Sequence, residues 1–257
     1  EGWRLTMILV GLPGLLLAPL LLLSVAEPDR TAAVSTQDRE ASAGAVIDHI
    51  VGHARYYLPF FFALGLSAIG TFSLISWSTA MLARSYGMSV ATAGSLYGSA
   101  GLLAGIVAAI FWPAARAWVQ RGGMASRNIW LMAAGLALAQ ASLAAMPMFG
   151  TQSFALIAIA LAIFGIASSG TLAVLILQAA APALMRARII SLYVLTGNLI
   201  GLTLGPPLSA WISENFYNGP NAMRSTFGLI GALLLPSVFV LLMIAATGYR
   251  KCLEDAK

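Results

Sequence analysis

The sequence predicts an all-α, polytopic membrane protein with seven transmembrane helices. Of its 257 residues, 60% are hydrophobic and only 9% are charged, whereas soluble domains carry about 25% charged residues. The charged residues are clustered, and they leave uncharged runs long enough for the roughly 20 helical residues that cross a hydrocarbon core. These runs lack the apolar and polar alternation of barrel strands, so the spans are helical. The composition therefore excludes a soluble protein.

The uncharged runs define the helices in chain order. The fourth run is too long for one crossing, and "MPMFGTQS" interrupts it with Pro147 and Gly150, so we divide it into two spans. Seven helices result. The runs cover residues 5–26, 56–83, 85–115, 128–185, 189–213 and 225–249.

The distribution of Lys and Arg predicts which side of the membrane each loop faces, because cytoplasmic loops carry the positive excess. If the spans alternate in direction, eleven of the fourteen Lys and Arg residues fall on one side, and only Arg4, Arg84 and Arg224 fall on the other. We therefore expect an integral protein of the bacterial inner membrane with its C-terminus in the cytoplasm. In an alternative interpretation residues 24–26 end a cleaved signal peptide, which would place the eleven positive charges outside.

Two segments of the six spans that follow residue 55 repeat one motif. "SLYGSAGLLAG" (95–105) and "SLYVLTGNLIG" (191–201) both fit S-L-Y-x-x-x-G-x-L-x-G. Each is the second helix of a group of three, and the two cross the membrane in opposite directions. This arrangement is typical of a three-plus-three inverted repeat.

The second copy of the motif continues into an unusual stretch, "GNLIGLTLGPP". Gly197, Gly201 and Gly205 are spaced four residues apart and therefore share one helix face, where small residues allow a neighbouring helix to approach closely. Pro206 and Pro207 remove two helical amide donors and predict a kink. We interpret these five residues as a gate or hinge, with a static packing seam as the alternative.

The chain resembles the C-terminal half of a major facilitator superfamily transporter, most closely the Spinster-like branch. The resemblance is carried by "GLPGLLLAPLLLLSVAEPDR", "YYLPFFFALG", "YGMSVATAG" and "MRARIISLYVLTGNLIGLTLGPPL". In this family an Asp-Arg pair usually follows the eighth helix, but "FWPAARAWVQRGG" has Arg116 where the Asp would fall. The cytoplasmic contact that this pair implies is therefore in doubt.

The resemblance implies a domain organisation and a partner. It assigns residues 1–26 to the last helix of a truncated N-terminal half, 27–55 to a cytoplasmic linker, 56–249 to the six-helix C-terminal bundle and 250–257 to a cytoplasmic tail. The linker is expected to include a short helix leading into the second span. Because the chain starts without Met, we expect a preceding N-terminal six-helix half in the same polypeptide.

The resemblance also implies that the second and fifth spans, the seventh and tenth helices of the family, line a central cavity. Both spans carry neutral polar side chains, and the sixth span adds an Asn that either lines the path or bonds to another helix. Ser and Thr can alternatively bond to carbonyls of their own helix. The residues that we expect in the substrate cavity are Thr71, Ser73, Trp77, Ser169, Thr171, Gln178 and Asn198.

The sequence gives little indication of a metal site, an enzyme active site or a nucleic acid partner. His49 and His53 could share a helix face, but with only Asp48 nearby we expect a solvated linker and no metal site. The sequence shows no pairing of a nucleophile with a base and no phosphate-binding loop, so we expect neither an enzyme nor a cofactor. The positive-inside bias accounts for the net charge of +5 without a nucleic acid partner.

The resemblance implies a secondary active transporter that works by alternating access in contact with membrane lipids. The spans carry no ionisable residue near their centres and offer hydroxyl groups, an indole and long apolar faces. A small anion would need Arg, Lys or helix N-termini, so we expect an amphipathic or lipid-like small molecule as the substrate. A small hydrophilic solute such as a sugar, organic acid or drug is the alternative, and a seven-helix receptor or scaffold is an alternative from another class.

Overall fold

A computed structural model describes residues 2–24, 42–121, 127–148 and 150–255. These residues form helices, with two short 3-10 turns at Met146–Met148 and Ala183–Met185, and the described chain contains no strand. Seven of the helices are long and apolar enough to cross a membrane, which confirms the predicted fold class. The helices are α1 (Gly2–Ser24), α2 (Ala43–Gly52), α3 (Ala54–Tyr86), α4 (Val90–Gln120), α5 (Arg127–Ala145), α6 (Gln152–Ala180), α7 (Arg186–Asn215) and α8 (Ala222–Asp255).

The chain divides into two compact units, residues 1–39 and residues 40–257. The first unit contains α1, an apolar helix with Pro13 and Pro19 in its interior. The second unit contains the other helices, including the short α2 that falls in the predicted linker. All the sites described below lie in the second unit.

Local sequence explains where several helices begin and end. Ser42 caps α2 by accepting a hydrogen bond from the Ala45 amide at 3.2 Å, and Ser89 caps α4 by accepting one from the Thr92 amide at 3.1 Å. Gly87 ends α3 in the left-handed conformation, with φ of 65°, which glycine adopts without steric cost. Pro147 lies in the 3-10 turn between α5 and α6, where the division of the long apolar run was predicted.

The helix packing of the second unit follows the predicted repeat. We take α3, α4 and α5 as one repeat and α6, α7 and α8 as the other. In this arrangement α3 is equivalent to α6, α4 to α7 and α5 to α8. The extensive contact of α3 with α7 then corresponds to that of α6 with α4, and the contact of α3 with α8 to that of α6 with α5. The remaining extensive contact joins α5 and α8, which are equivalent to each other in the two repeats. This is the packing that an internal two-fold repeat requires.

Small residues allow the helix backbones around α5 to approach closely. A Cβ atom placed at Gly165 in α6 would collide with the Gly135 carbonyl oxygen of α5, and one placed at Gly231 in α8 would lie 2.6 Å from the Gln140 carbonyl oxygen of α5. Such contacts are the usual basis of helix association in lipid. These contacts hold α5 between α6 and α8. The candidate site described below lies between α3, α6 and α7.

Candidate substrate-binding cleft

A cleft of about 190 Å³ lies between α3, α6 and α7. Helix α3 supplies most of one wall, α7 the opposite wall and α6 the third side. All the lining side chains are uncharged, so the cleft is electrostatically neutral. The lining residues are Leu64, Ser67, Ala68, Thr71, Phe72, Ile166, Ser169, Tyr193, Val194, Gly197 and Asn198.

Hydroxyl groups on α3 and α6 provide part of the polar surface of the cleft. The Thr71 hydroxyl donates to the Ser67 carbonyl oxygen at 3.2 Å, and the Ser169 hydroxyl donates to the Ile166 carbonyl oxygen at 2.8 Å. Donation to their own helix satisfies the hydroxyl protons, while the oxygen lone pairs stay available to accept hydrogen bonds. These groups can therefore receive a donor from a ligand without losing their own hydrogen bonds.

Asn198 presents an amide from α7 to the cleft. Within the described chain no protein group forms a hydrogen bond with this amide, and the side chain is exposed. This placement favours cleft lining over the alternative of an interhelical hydrogen bond. Its two donors and one acceptor can bind a polar group of a ligand.

Beyond the cleft, α7 and α3 run in the same direction and come into direct backbone contact. A Cβ placed at Gly201 would collide with the Ala68 side chain and lie 2.9 Å from the Ala68 carbonyl carbon. One placed at Gly205 would lie 2.8 Å from the Ile69 carbonyl oxygen. No described atom lies within 4 Å of a Cβ placed at Gly197, which borders the cleft. The close approach predicted from the spacing is thus present at Gly201 and Gly205 and absent at Gly197.

Side chains of α3 also bind the backbone of α7 beside its two prolines. The Ser73 hydroxyl donates to the Gly205 carbonyl oxygen at 3.0 Å, and Ser209 Oγ lies 2.6 Å from Ser73 Oγ. The Trp77 indole N–H donates to the Pro206 carbonyl oxygen at 3.0 Å. Together with Gly201 and Gly205, these residues form what we call the α3–α7 seam.

Pro206 and Pro207 lie inside α7, which is helical from Arg186 to Asn215. Because proline has no amide proton, the carbonyl oxygens of Leu202 and Thr203 lack their normal helical donors. The bonds from Ser73 and Trp77 reach the carbonyl oxygens of Gly205 and Pro206, within one helical turn of these two groups. The seam therefore meets α7 at the segment where the hydrogen bonding within the helix is weakest.

The structure separates the predicted cavity residues into three groups. Thr71, Ser169 and Asn198 line the cleft together, whereas Ser73 and Trp77 belong to the seam. The other two are placed away from this cleft. The Thr171 hydroxyl bonds to the Ala167 carbonyl oxygen of its own helix at 3.0 Å, and Gln178 is exposed near the end of α6.

Sequence reasoning missed several residues of this region, among them Gln140, Tyr193 and Ser209. Gln140 of α5 is buried and its amide donates to the Ser67 hydroxyl at 3.2 Å, so it supports the cleft from behind. A lone amide within the apolar stretch "GLALAQASLAA" was the available signal, because burying an unpaired amide is costly. Tyr193, from the repeated motif, lines the cleft, and Ser209 joins the seam.

Solved structures similar to this chain include the following two. Both are crystal structures of a bacterial homologue of the human lysosomal transporter Spinster in an inward-facing conformation. The unoccupied form has a TM-score of 0.55 at 19% identity, and the match covers 99% of this chain and 59% of that one. The occupied form has a TM-score of 0.48 at 21% identity, with 98% and 58% covered. This chain thus spans somewhat less than two thirds of the length of these proteins.

Among curated proteins no sequence matches this chain significantly. The profile of the Major Facilitator Superfamily, however, matches residues 1–202, which include α1 to α6 and the first part of α7. The unoccupied Spinster homologue has the same fold. This similarity agrees with the seven apolar helices and the internal repeat of three helices. The chain belongs to the Major Facilitator Superfamily, a family of membrane transporters.

Proposed function

We propose that this chain is the C-terminal part of a secondary active transporter that moves an amphipathic or lipid-like small molecule by alternating access. The neutral cleft between α3, α6 and α7, which combines apolar walls with a few hydroxyl groups and an amide, carries this proposal. The family supports the transport function, and the chemistry of the cleft supports the substrate class.

The cleft suits a molecule with a long apolar part. Leu64, Phe72, Ile166 and Val194 provide apolar surface, which favours a hydrocarbon chain by about 0.8 kcal/mol for each buried CH₂ group. A small anion would lose its hydration here without Arg, Lys or a metal ion to replace it, because the lining contains no basic side chain.

The size of the cleft indicates that other residues complete the site. Its volume of about 190 Å³ is smaller than the roughly 300–1,000 Å³ of typical ligand pockets. We propose that the N-terminal six-helix half of the same polypeptide provides the remaining wall and holds the polar head of the substrate. The apolar part then contacts α3, α6 and α7.

In this proposal the cleft is the open part of the transport path, and the α3–α7 seam is the part that is closed. The cleft lies nearer the N-terminal ends of α3 and α7, which the predicted topology places towards the cytoplasm. The seam lies nearer their C-terminal ends and would close the outer side. In this proposal Gly197, Gly201, Gly205, Pro206 and Pro207 form the gate, and α7 bends where Leu202 and Thr203 lack amide donors.

Competition for transport in proteoliposomes containing the full-length protein tests the substrate class. We expect a lysophospholipid to compete with the transported molecule and a small hydrophilic anion not to compete. Asn198→Ala and Thr71→Val should raise KM, whereas the control Thr171→Val, whose hydroxyl bonds to its own helix away from the cleft, should not. Competition by the anion but not by the lysophospholipid contradicts the proposal in favour of a hydrophilic solute, and a complete lack of transport favours a receptor or scaffold.

Cysteine labelling tests the orientation. In a protein with no other cysteine, Ser89→Cys between α3 and α4 should react with an impermeant thiol reagent on intact cells. Asp48→Cys in α2 should react only after the cells are permeabilised. Both positions are exposed in the structure. The reverse pattern would place the cleft on the outer side and overturn the assignment of the gate.

A further inference from the structure

Two His side chains and one Cys side chain meet where α2, α3 and α8 come together. His49 comes from α2, His53 from the junction of α2 and α3, and Cys252 from the last turns of α8. Their potential ligand atoms all lie within 4.8 Å of one another. The two His side chains are half-buried, and Cys252 is only 1% exposed. The sequence interpretation found no third ligand for the two His residues because Cys252 is distant along the chain.

The hydrogen bonds around the cluster orient its imidazole groups. His53 Nδ1 lies 3.0 Å from the His49 carbonyl oxygen, and because a carbonyl only accepts, Nδ1 carries the proton. The lone pair of His53 is then on Nε2, the arrangement by which proteins commonly fix metal-binding His residues. The two His rings lie close, with centroids 4.6 Å apart.

Tyr57 and Ala180 supply the surroundings of the cluster. The Tyr57 hydroxyl lies 3.1 Å from His49 Nε2 and 3.9 Å from Cys252 Sγ, so it bridges two of the three residues. Cys252 Sγ also lies 3.3 Å from the Ala180 carbonyl oxygen at the end of α6. Oxygen groups in these positions can orient ligands around a bound ion.

We propose that His49, His53 and Cys252 bind one Zn²⁺ ion. Two imidazoles and one thiolate match the nitrogen and sulfur donors that Zn²⁺ prefers, and a water molecule completes the tetrahedron. Metal bonds of about 2.0–2.3 Å place tetrahedral ligand atoms roughly 3.3–3.8 Å apart, so small side-chain rotations bring the observed atoms into range. Binding converts the thiol to a thiolate and releases its proton to solvent. Ca²⁺ and Mg²⁺ do not fit, because the cluster contains no carboxylate.

The ion would join the end of α8 to the junction of α2 and α3, which is about 200 residues earlier in the sequence. Helix α2 belongs to the segment between the first span and the bundle, and Cys252 belongs to the end of the last helix. A Zn²⁺ ion bound to both would fasten α2 to the bundle beside the start of α3. This proposal does not depend on the substrate of the transporter.

The test uses the full-length protein in detergent with Zn²⁺ and with Co²⁺ as a spectroscopic substitute. We expect one Zn²⁺ per polypeptide, and with Co²⁺ a thiolate-to-metal charge-transfer band that disappears in Cys252→Ser. His49→Ala and His53→Ala should each weaken Zn²⁺ binding at least about tenfold. Asp48→Asn is the matched control, since this carboxylate neighbours His49 but is exposed and outside the cluster; it should bind like the wild type.

Thermal unfolding provides a second measurement. Zn²⁺ should raise the unfolding temperature of the wild type and of Asp48→Asn and should leave that of His53→Gln unchanged. His53 is half-buried, so this variant keeps the proposal testable if Cys252→Ser does not fold. Binding well below one ion per polypeptide, or equal binding by the wild type and all three cluster variants, would overturn the proposal.

Discussion

The two copies of the S-L-Y-x-x-x-G-x-L-x-G motif have different surroundings. In α7, the last Gly of the motif, Gly201, contacts the backbone of α3. At the equivalent position of α4, Gly105 has no described atom within 4 Å of an added Cβ, and Gly101 has only the Ile163 methyl group at 3.4 Å. The same spacing of glycines thus gives close packing in one helix and not in the other.

The partner helices account for this difference. Helix α3 presents Ala68 to α7, and the small side chain allows the two backbones to meet. Helix α6 presents Ile163 and Phe164 to α4, and the Trp112 indole of α4 donates to the Phe164 carbonyl oxygen at 2.8 Å. Aromatic side chains therefore hold α4 against α6. Helix α7 also meets aromatic groups of α3, Phe72 and Trp77, but the small side chain of Ala68 lies directly opposite Gly201. The side chain opposite a glycine thus decides whether the two backbones come into contact.

The largest expected change in stability is the difference between substituting the last glycine of the α7 motif and the last glycine of the α4 motif. Gly201→Ala should destabilise the protein by about 1–3 kcal/mol, because the new methyl group meets the Ala68 backbone, which cannot move aside. Gly105→Ala is the matched control, and it should leave stability unchanged or raise it by up to about 1 kcal/mol through better helix propensity. Thermal unfolding in detergent measures both. Equal effects of the two substitutions would show that the motif copies do not differ in packing.

The next largest change in stability is expected when the Trp side chain of the α4–α6 pair or of the α3–α7 pair is replaced. Trp112→Phe should cost about 1–2 kcal/mol, because Trp112 is only 3% exposed and loses packing as well as its hydrogen bond. Trp77→Phe should cost about 0.6 kcal/mol, the average for one interhelical hydrogen bond in a membrane. Unfolding of both variants under the same conditions checks the order. A greater loss from Trp77→Phe would mean that the seam depends on its indole more than the α4–α6 pair does.

A smaller effect measures the hydroxyl pair of the seam. Ser73→Ala and Ser209→Ala, alone and together, form a double-mutant cycle with an expected coupling of about 0.6 kcal/mol. Ser191→Ala is the control, since this exposed hydroxyl bonds only to the Ala187 carbonyl oxygen of its own helix. A coupling of zero would indicate that the two hydroxyl groups contribute independently.

The smallest loss of stability is expected at the first glycine of each motif copy. Gly197→Ala and Gly101→Ala should each change stability by less than about 1 kcal/mol, because neither new methyl group meets a close neighbour in the described chain. At Gly197 the methyl group would enter the cleft, so transport should be affected while unfolding is not. A strong loss of stability in Gly197→Ala would show that the motif packs closely along its whole length.

Much of the fold follows from the sequence. The lengths of the uncharged runs predicted seven spans, and the pair Pro147 and Gly150 predicted the division between α5 and α6. These features depend on local chemistry, because a helix in lipid must satisfy its own backbone and proline cannot continue its hydrogen bonding. The neutral character of the cleft could also be predicted, since the spans carry no ionisable residue near their centres.

Other features depend on which helices pair. The family resemblance placed Ser73, Trp77 and Thr71 in one predicted cavity, but the rotation of α3 puts the first two against α7 and the third in the cleft. Likewise, only the packing of α8 beside α2 brings Cys252 to the two His residues.

The amino-acid sequence by itself determined the membrane class, the number of helices and the repeated motif, because hydrophobic length and backbone chemistry act within single segments. Only the tertiary structure decided which glycines pack closely, which hydroxyl groups face the cleft and which distant side chains meet. The physical reason is that side chains on neighbouring helices interact at short range. A rotation of one helix by a single residue, about 100°, exchanges a packed position for an open one.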